Sequence, residues 1–303
     1  MSVFAPDYYK DFKCIASLCR HNCCIGWEID IDKKTMKKYE NTKGNFKKRL
    51  DESITETDGT NHFILGENER CPFLNNNNLC DIILNLGEDN LCQICADHPR
   101  FMNFYEEREE IGLGLSCEEA ARLIITKKDK TKIVPLDNSK AEDSFFVNYR
   151  NKLFSIAQNR EKTVVEREKE LLAEIDARFI ETSWKKWEEI FSSLEILDPN
   201  WKNYISLIGK DVPEPVFADF EIPFEQLLCY FLFRHSEPAF LFGDFKETVM
   251  FSVLSVRIIR KIFSAKIYAQ KRADISTLLE IIRMYSSEIE YCEENTDKLF
   301  DLL

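Results

Sequence analysis

Glycine and proline are scarce in this chain of 303 residues, with nine of each against 23 phenylalanines. Tight turns depend on these two residue types, so their scarcity disfavours a turn-rich all-β fold. Hydrophobic residues make up 44% of the chain and aromatic residues 12%, which is enough for a sizeable core. We therefore predict an α+β fold that is mainly α.

Positive charge is also in deficit, since the formal net charge is -12 at pH 7. Binding to nucleic acid depends on lysine and arginine side chains that neutralise phosphates, so we predict no nucleic-acid partner. An acidic surface favours solubility, and it also favours a basic partner such as a lysine-bearing protein.

The sequence shows neither a long hydrophobic run nor the pattern of a secretory signal. Met1–Asp7 has no basic segment followed by an apolar run. The most apolar stretch begins at Met250, but Arg257, Arg260 and Lys261 interrupt it, so it predicts a buried helix rather than a membrane span. We predict a soluble cytoplasmic protein with no membrane partner.

Glycine-rich signatures of common enzymes are missing as well. No Gly-x-Gly-x-x-Gly follows a predicted strand, and neither a phosphate-binding loop nor a Gly-x-Ser-x-Gly turn occurs. Gly112-Leu-Gly114 falls within a predicted strand and is too short a pattern to indicate a nucleotide site. These absences argue against a Rossmann-type cofactor site and against a serine hydrolase.

Cysteine, in contrast, is abundant, with eleven residues in the chain. Disulfides rarely persist in the cytoplasm, and an odd count does not suit a disulfide framework, so the cysteines indicate metal binding. Thiolates are soft ligands that suit zinc and iron–sulfur clusters. The predicted ligands are the nine cysteines of the N-terminal half: Cys14, Cys19, Cys23, Cys24, Cys71, Cys80, Cys92, Cys95 and Cys117.

Zinc and an iron–sulfur cluster are the two alternatives for this centre. Zinc sites usually combine two Cys-x-x-Cys pairs, whereas this chain has one, at Cys92 and Cys95. The Cys-x3-Cys-x2-Cys pattern of radical enzymes that use S-adenosylmethionine is broken, because Gly26 stands where a third cysteine would follow Cys19 and Cys23. We therefore favour a non-radical iron–sulfur cluster and keep zinc as the alternative.

We predict two domains. Residues 1–136 form a small cysteine-rich metal-binding domain with short hairpins, one of them between Cys71 and Cys80, where four asparagines suit a tight turn. Residues 143–303 form an α-helical domain, because apolar residues recur there at helical spacing. The predicted helices of this domain include Glu161–Thr182, Ser183–Leu194, Phe224–Arg234, Phe245–Ala269 and Ile275–Glu290.

Short motifs surround the cysteines in a characteristic order. They are Phe12-Lys-Cys14, Cys23-Cys24-Ile-Gly26-Trp27, Cys71-Pro-Phe-Leu74, Leu79-Cys80-Asp-Ile82, Leu91-Cys92-x-x-Cys95, His98-Pro-Arg100 and Leu115-Ser-Cys117. Tyr230-Phe-Leu-Phe-Arg234-His235 extends the series into the helical half. In these motifs the chain resembles the bacterial flagellin lysine-N-methylases over most of its length.

This resemblance implies transfer of methyl groups from S-adenosylmethionine to lysine ε-amino groups of flagellin, by an enzyme that carries a cysteine-bound 4Fe-4S cluster. Methyl transfer needs a neutral amine aligned with the sulfonium and a group that takes up a proton. The candidates for that group are Asp97, His98, Tyr105 and His235. Two other functions fit the cysteine set: a non-catalytic, metal-stabilised interaction module, and an iron–sulfur electron-transfer protein.

Overall fold

A computed structural model describes residues 2–105, 108–137, 144–179, 182–213 and 218–303. The chain divides into two compact units. Lys13–Phe101 form the cysteine-rich unit, and Met1–Phe12 together with Met102–Leu303 form the helical unit. The predicted domains divide at 136–143 instead, where residues 138–143 lie outside the described part of the chain.

Helices outnumber strands among the described residues, which confirms the predicted α+β, mainly α class. The strands are β1 (Ser2–Pro6), β2 (Asp30–Ile31), β3 (Ile54–Thr57), β4 (Thr60–Phe63), β5 (Arg100–Tyr105), β6 (Arg108–Leu113) and β7 (Ile133–Pro135). The helices are α1 (Lys33–Glu40), α2 (Asn45–Glu52), α3 (Asp81–Leu86), α4 (Gln93–Asp97), α5 (Glu118–Ile125), α6 (Phe145–Ala157), α7 (Val164–Glu174), α8 (Trp184–Ser192), α9 (Trp201–Ile208), α10 (Glu221–Arg234), α11 (Glu237–Phe242), α12 (Lys246–Gln270), α13 (Ile275–Tyr285) and α14 (Glu293–Phe300).

The cysteine-rich unit contains a three-stranded antiparallel sheet with the order β2-β4-β3. The hairpin between β3 and β4 turns at Asp58 and Gly59, whose φ angles of 51° and 83° suit the tight turns that join antiparallel strands. α1 begins after Asp32, and the Asp32 carboxylate accepts a hydrogen bond from the Thr35 N–H at 2.9 Å. Aspartate is one of the residue types that favour this position, so the cap follows from the local sequence.

The core of the cysteine-rich unit is small and includes sulfur. Cys71 and Cys92 are buried within it, and the partly buried Cys24, Cys80 and Cys95 pack against it. Apolar burial per residue is low in a unit of this size, so a cross-link between its segments would contribute strongly to its stability.

The helical unit carries a four-stranded mixed sheet with the order β5-β6-β1-β7. β1 is parallel to β6, with Ser2 paired to Arg108, and antiparallel to β7, with Phe4 paired to Pro135. These long-range backbone pairings hold the N-terminal strand and β7 in the helical unit. A local sequence pattern carries no information about such pairings, which is why both segments are assigned from sequence to the cysteine-rich domain.

Two helices of this unit are buried on almost every side. α10 buries residues 223–233, and α12 buries residues 248–256 and 258–265. Helices that are covered all round lie at the centre of a core. α10 starts earlier than the predicted Phe224, because Pro223 is accommodated in its first turn, where a proline removes no hydrogen bond. Within the described residues, no helix is both long and apolar enough to cross a membrane.

Two predicted helices end early. α7 stops at Glu174 rather than at Thr182, and Asp176 follows it with a left-handed φ of 49°. α13 stops at Tyr285 and continues as a π-helical turn over Ser286–Glu290. π-turns are rare and often occur at functional sites.

A buried carboxylate connects the sheet of the helical unit to α6. The Glu110 side chain is fully buried and lies 2.6 Å from an Arg108 nitrogen and 2.5 Å from an Arg150 nitrogen. Burial alone would raise the pKa of Glu110, but Arg150 and Arg108 outweigh this effect and hold the pKa below its usual value. Glu110 is therefore ionised at neutral pH and compensates two guanidinium groups.

Replacing Glu110 with glutamine would remove the negative charge that faces both arginines. We expect a loss of about 3–5 kcal/mol in the free energy of unfolding, measured by urea denaturation. Glu189→Gln is the matched control, because it removes only the exposed partner of Lys186 and should cost less than about 1 kcal/mol. Equal losses for the two variants would show that the buried network is not a special source of stability.

Candidate metal centre

Eight of the nine predicted ligands lie in the cysteine-rich unit, whereas Cys117 lies in the helical unit at the start of α5. Three short segments carry the eight cysteines: the loop over residues 14–24, the hairpin over residues 71–80, and the start of α4. Cys92 is the N-cap of α4, and Cys95 lies one turn further along it. These segments are too short to pack well alone, so each depends on the others for its position.

The predicted hairpin between Cys71 and Cys80 is present. Its strands meet at a bridge between Leu74 and Cys80, and the Asp81 N–H donates to the Phe73 carbonyl at 2.8 Å. Asn78 adopts a left-handed φ of 55°, the conformation that asparagine tolerates better than most residues. The hairpin thus returns Cys80 to the neighbourhood of Cys71.

The first cysteine loop is tied to this hairpin through backbone hydrogen bonds. The Cys71 N–H donates to the Cys24 carbonyl at 2.9 Å, and the Gly26 N–H donates to the Glu69 carbonyl at 3.2 Å. Gly26 has a left-handed φ of 94°, which explains a glycine at this position. The result places Cys23 and Cys24 beside Cys71 although they are far apart in sequence.

The thiols form two hydrogen-bonded pairs. The hydrogen bond from Cys24 lowers the pKa of Cys23 to about 7, and the same bond raises the pKa of Cys24. Cys92 and Cys95 behave in the same way, with the pKa of Cys92 lowered chiefly by the hydrogen bond from Cys95. In each pair the first thiolate is stabilised by the remaining S–H, and a second ionisation is opposed by that thiolate and by burial.

The two pairs and the hairpin cysteines influence one another's ionisation. Burial raises the pKa of Cys71 to about 11 and also raises that of Cys80. Cys24 is affected by both hairpin thiols, and Cys95 is affected by Cys24 and Cys71. We call this set the six-thiol group: Cys23, Cys24, Cys71, Cys80, Cys92 and Cys95.

Within the part of the chain that the structure describes, no three histidine, cysteine or acidic side chains are close enough together to hold one metal ion. Cys14 and Cys19 make contacts within their own loop, where Cys14 Sγ accepts from the Ala16 N–H at 3.4 Å and Cys19 Sγ donates to the His21 carbonyl at 3.1 Å.

Two of the four candidate proton acceptors lie in the cysteine-rich unit. Asp97 ends α4, and its carboxylate accepts from Gln93 Nε2 at 2.8 Å. His98 follows it, and burial lowers the pKa of its imidazole to about 4. Trp27 lies 6.2 Å from the His98 ring, centroid to centroid, and donates from Nε1 to the Cys23 carbonyl at 2.6 Å. His98 therefore lies near Cys23 through Trp27, and Asp97 lies on the helix that carries Cys95.

The other two candidates lie in the helical unit. Tyr105 is 2% exposed, its hydroxyl lies 3.0 Å from Ser236 Oγ, and burial raises its pKa to about 12. Tyr105 is therefore a neutral, packed side chain. His235 ends α10, and its Nε2 lies 2.9 Å from Glu290 Oε1.

We call Tyr230, Arg234, His235 and Glu290 the second cluster. Glu290 is the member that sequence reasoning missed. It lies on the π-helical turn, and its carboxylate contacts Tyr230 Oη at 3.0 Å and Arg234 Nε at 3.0 Å besides His235. Burial alone would raise the pKa of Glu290, but Arg234 and His235 outweigh it and keep the carboxylate ionised. Burial lowers the pKa of His235, so its imidazole is neutral. No local motif marks Glu290, because the contact spans more than fifty residues of sequence.

The Gly112-Leu-Gly114 pattern has a packing role at the same place. Gly114 directly follows β6, and a Cβ atom there would collide with the hydroxyl of Tyr291 and approach Arg234 Nη1 at 3.2 Å. The glycine thus lets Tyr291 and Arg234 lie over the backbone beside Glu290.

The residues of this second cluster fall within a segment that matches a known family. A family model described as the FliB lysine N-methylase C-terminal domain matches residues 105–303, which is more than half of the chain. The chain belongs to this family. The predicted flagellin lysine-N-methylase family is thereby confirmed, and the matched segment includes Tyr105, His235 and Glu290.

Three named proteins are similar to part of this chain. Proteins named lysine-N-methylase from Salmonella choleraesuis and Salmonella typhimurium are each 31% identical to the chain over 137 residues. The flagellar biosynthetic protein FliU of Salmonella muenchen is 29% identical over 142 residues. Each alignment covers 43% of this chain, and it spans 34% of the two lysine-N-methylases and 80% of FliU. No solved structure matches the chain.

In the metal-free protein we expect iodoacetamide to label Cys23 well before Cys71. Cys23 is exposed and its pKa is lowered to about 7, whereas Cys71 is buried and its pKa is raised to about 11. Because the thiolate is the reactive form, labelling of Cys23 should speed up as the pH rises through about 7 and then level off. Peptide mass spectrometry follows each site separately.

Cys24→Ala is the control for this titration. It removes the S–H that stabilises the Cys23 thiolate, so the rise in labelling rate should move to higher pH. An unchanged pH profile in this variant would contradict the hydrogen-bonded pair.

Proposed function

We propose that the protein is a protein-lysine N-methyltransferase that uses S-adenosylmethionine, with flagellin as substrate and a 4Fe-4S cluster on its cysteines. The observation that carries the proposal is the family match over residues 105–303, together with relatives named lysine-N-methylase and a flagellar protein. The net charge of -12 suits a substrate that presents lysines.

The reaction sets clear demands on the site. The lone pair of a neutral lysine amine attacks the methyl carbon, the bond between that carbon and the sulfonium sulfur breaks, and a proton leaves the nitrogen. A free lysine amine is mostly protonated at neutral pH, because its pKa is about 10.4. The protein must therefore supply a proton acceptor and a fixed orientation.

His235 with Glu290 is the pair best suited to take up that proton. The ionised Glu290 carboxylate only accepts hydrogen bonds, so the His235 nitrogen that faces it, Nε2, carries the hydrogen. That leaves Nδ1 with a lone pair for a proton. Glu290 would stabilise the imidazolium that forms, as a carboxylate does behind a catalytic histidine. The His235 side chain is 11% exposed, so the pair is not sealed from solvent.

The six-thiol group is the proposed place of the cluster. Thiolates are the ligands that iron–sulfur clusters take. Cys24 is affected by Cys71 and Cys80, and Cys95 is affected by Cys24 and Cys71, so thiols from three segments lie near one another. The four ligands would come from the inward-facing members Cys24, Cys71, Cys80, Cys92 and Cys95. When bound, the cluster would join three segments of a small unit and so contribute to its folding.

Incubation of the anaerobically purified protein with S-adenosylmethionine and flagellin should increase the mass of flagellin lysines in steps of about 14 Da. Each step is the mass of one CH2 group. His235→Gln should lower the rate by about 10²-fold or more, because general bases contribute about 10²–10⁴-fold. Tyr105→Phe is the control variant, since its hydroxyl is engaged by Ser236. Intact-protein and peptide mass spectrometry measure the product.

The negative outcomes of this assay point to different functions. A protein that transfers no methyl group to flagellin or to any other lysine protein is not the proposed enzyme. If that inactive protein is colourless and holds zinc, an interaction module is the better reading. If it is brown and undergoes reversible redox chemistry, an electron-transfer protein is favoured.

Cys92→Ser should lower the iron and sulfide content of the purified protein and the thermal stability of the cysteine-rich unit. The matched control is Cys292→Ser in the helical unit. Cys292 is the N-cap of α14, a position where serine is favourable, so this variant should keep full metal content. Full metal content in Cys92→Ser, measured by elemental analysis, would refute the place proposed for the cluster.

A further inference from the structure

Helix α1 holds the segment that carries Cys92. Three of its residues and its N-cap contact the backbone of residues 89–93. The Asp32 carboxylate accepts from the Gln93 N–H at 2.9 Å, Thr35 Oγ1 donates to the Leu91 carbonyl at 3.3 Å, and Tyr39 Oη donates to the Asn90 carbonyl at 2.8 Å. Lys38 Nζ donates to the Asp89 carbonyl. The start of the Cys-x-x-Cys segment is thus fixed by a helix that contributes no thiol.

Tyr39 alone among these residues also contacts sulfur. Its hydroxyl oxygen lies 3.6 Å from Cys92 Sγ. The side chain is 1% exposed, and its ring stacks on Phe63 with 6.3 Å between the centroids. The hydroxyl therefore has a fixed place between the Asn90 carbonyl and the Cys92 sulfur, and water does not compete for it.

The chemistry of this contact depends on the state of the sulfur. A Cys92 thiol can donate its S–H to the Tyr39 oxygen while Tyr39 donates to Asn90. A metal-bound Cys92 has lost that hydrogen and becomes an acceptor only. The hydroxyl is then a polar group beside a buried sulfur that carries negative charge, and it has one hydrogen to share between Asn90 and Cys92.

We propose that Tyr39 is a positioning residue for the cluster, whose hydroxyl donates a hydrogen bond to the metal-bound sulfur of Cys92 while α1 fixes the segment around it. The inference rests on the proposed cysteine-bound cluster. Hydrogen bonds to cluster sulfurs stabilise the more negative, reduced state and so raise the reduction potential. Groups that hydrogen-bond to metal ligands also strengthen metal binding.

Tyr39→Phe tests the proposal, because it keeps the ring on Phe63 and deletes only the hydroxyl. After anaerobic reconstitution with ferrous iron and sulfide, we expect its midpoint potential to be more negative than that of the wild type. We also expect its affinity for the cluster iron, measured against a chelator, to fall about 10-fold or more. Dye-mediated redox titration and chelator competition give the two values.

Two controls distinguish loss of the contact with sulfur from a general loosening of the structure around α1. Tyr285→Phe removes another buried tyrosine hydroxyl, which donates to Ser255 Oγ in the helical unit, and should leave both values unchanged. Thr35→Val removes a hydrogen bond between α1 and Leu91 without touching sulfur, and should leave the potential unchanged. A shift in Thr35→Val as large as in Tyr39→Phe would overturn the proposal.

The outcomes also separate this inference from the proposed function. A wild-type protein that takes up no iron and sulfide contradicts the cluster itself. If the wild type takes up iron and sulfide, and folded Tyr39→Phe has the same potential and the same affinity, the cluster is supported and the role of Tyr39 is refuted. If Tyr39→Phe does not fold, 3-fluorotyrosine at position 39 replaces it. The ring fluorine keeps the hydroxyl and makes it a stronger hydrogen-bond donor, so the potential should become less negative, and an unchanged potential there would equally refute the role.

Discussion

The cysteine-rich unit depends on one constraint: thiols from three separate segments must be buried together in a core that is too small to be built from hydrocarbon alone. As neutral groups they pack like small apolar side chains, and Cys71 and Cys92 are among the core residues. As thiolates they would place several negative charges at low dielectric, which is why burial raises the pKa of Cys71 and Cys80. A positively charged metal framework would remove that conflict, and this is the physical ground for the cluster that we propose.

The hydrogen bonds around this core show how its geometry is fixed without long elements. Cys24 and Cys71 are joined through the backbone, and the hairpin returns Cys80 beside them. Cys92 is fixed by α1, a helix with mostly charged surface whose inner residues Thr35 and Tyr39 are buried. Tyr39 takes part in both the packing of the core and the contact with sulfur, because its ring stacks on Phe63 and its hydroxyl lies beside Cys92 Sγ.

The helical unit contains buried carboxylates that neighbouring side chains compensate. Glu110 faces Arg108 and Arg150, and Glu168 faces Arg257 and Arg260, so both carboxylates belong to ion pairs with arginine. Removing one member of such a pair is costly, although the pair as a whole adds little stability. Glu290 differs, because His235 and Tyr230 accompany its arginine. A neutral histidine backed by a carboxylate can accept a proton, which a guanidinium cannot.

The amino-acid sequence by itself determined the fold class, the family, the Asn-rich hairpin and the cap of α1, because these follow from composition, ordered motifs and backbone preferences that act over a few residues. It also predicted the cysteines as metal ligands. Only the tertiary structure decided that β1 joins the sheet of the helical unit, that Cys117 belongs to the helical unit, and that Tyr39 contacts Cys92 and Glu290 contacts His235. These contacts join residues about fifty or more positions apart, and their formation depends on which buried surfaces pack together, a property of the whole chain that no local pattern contains.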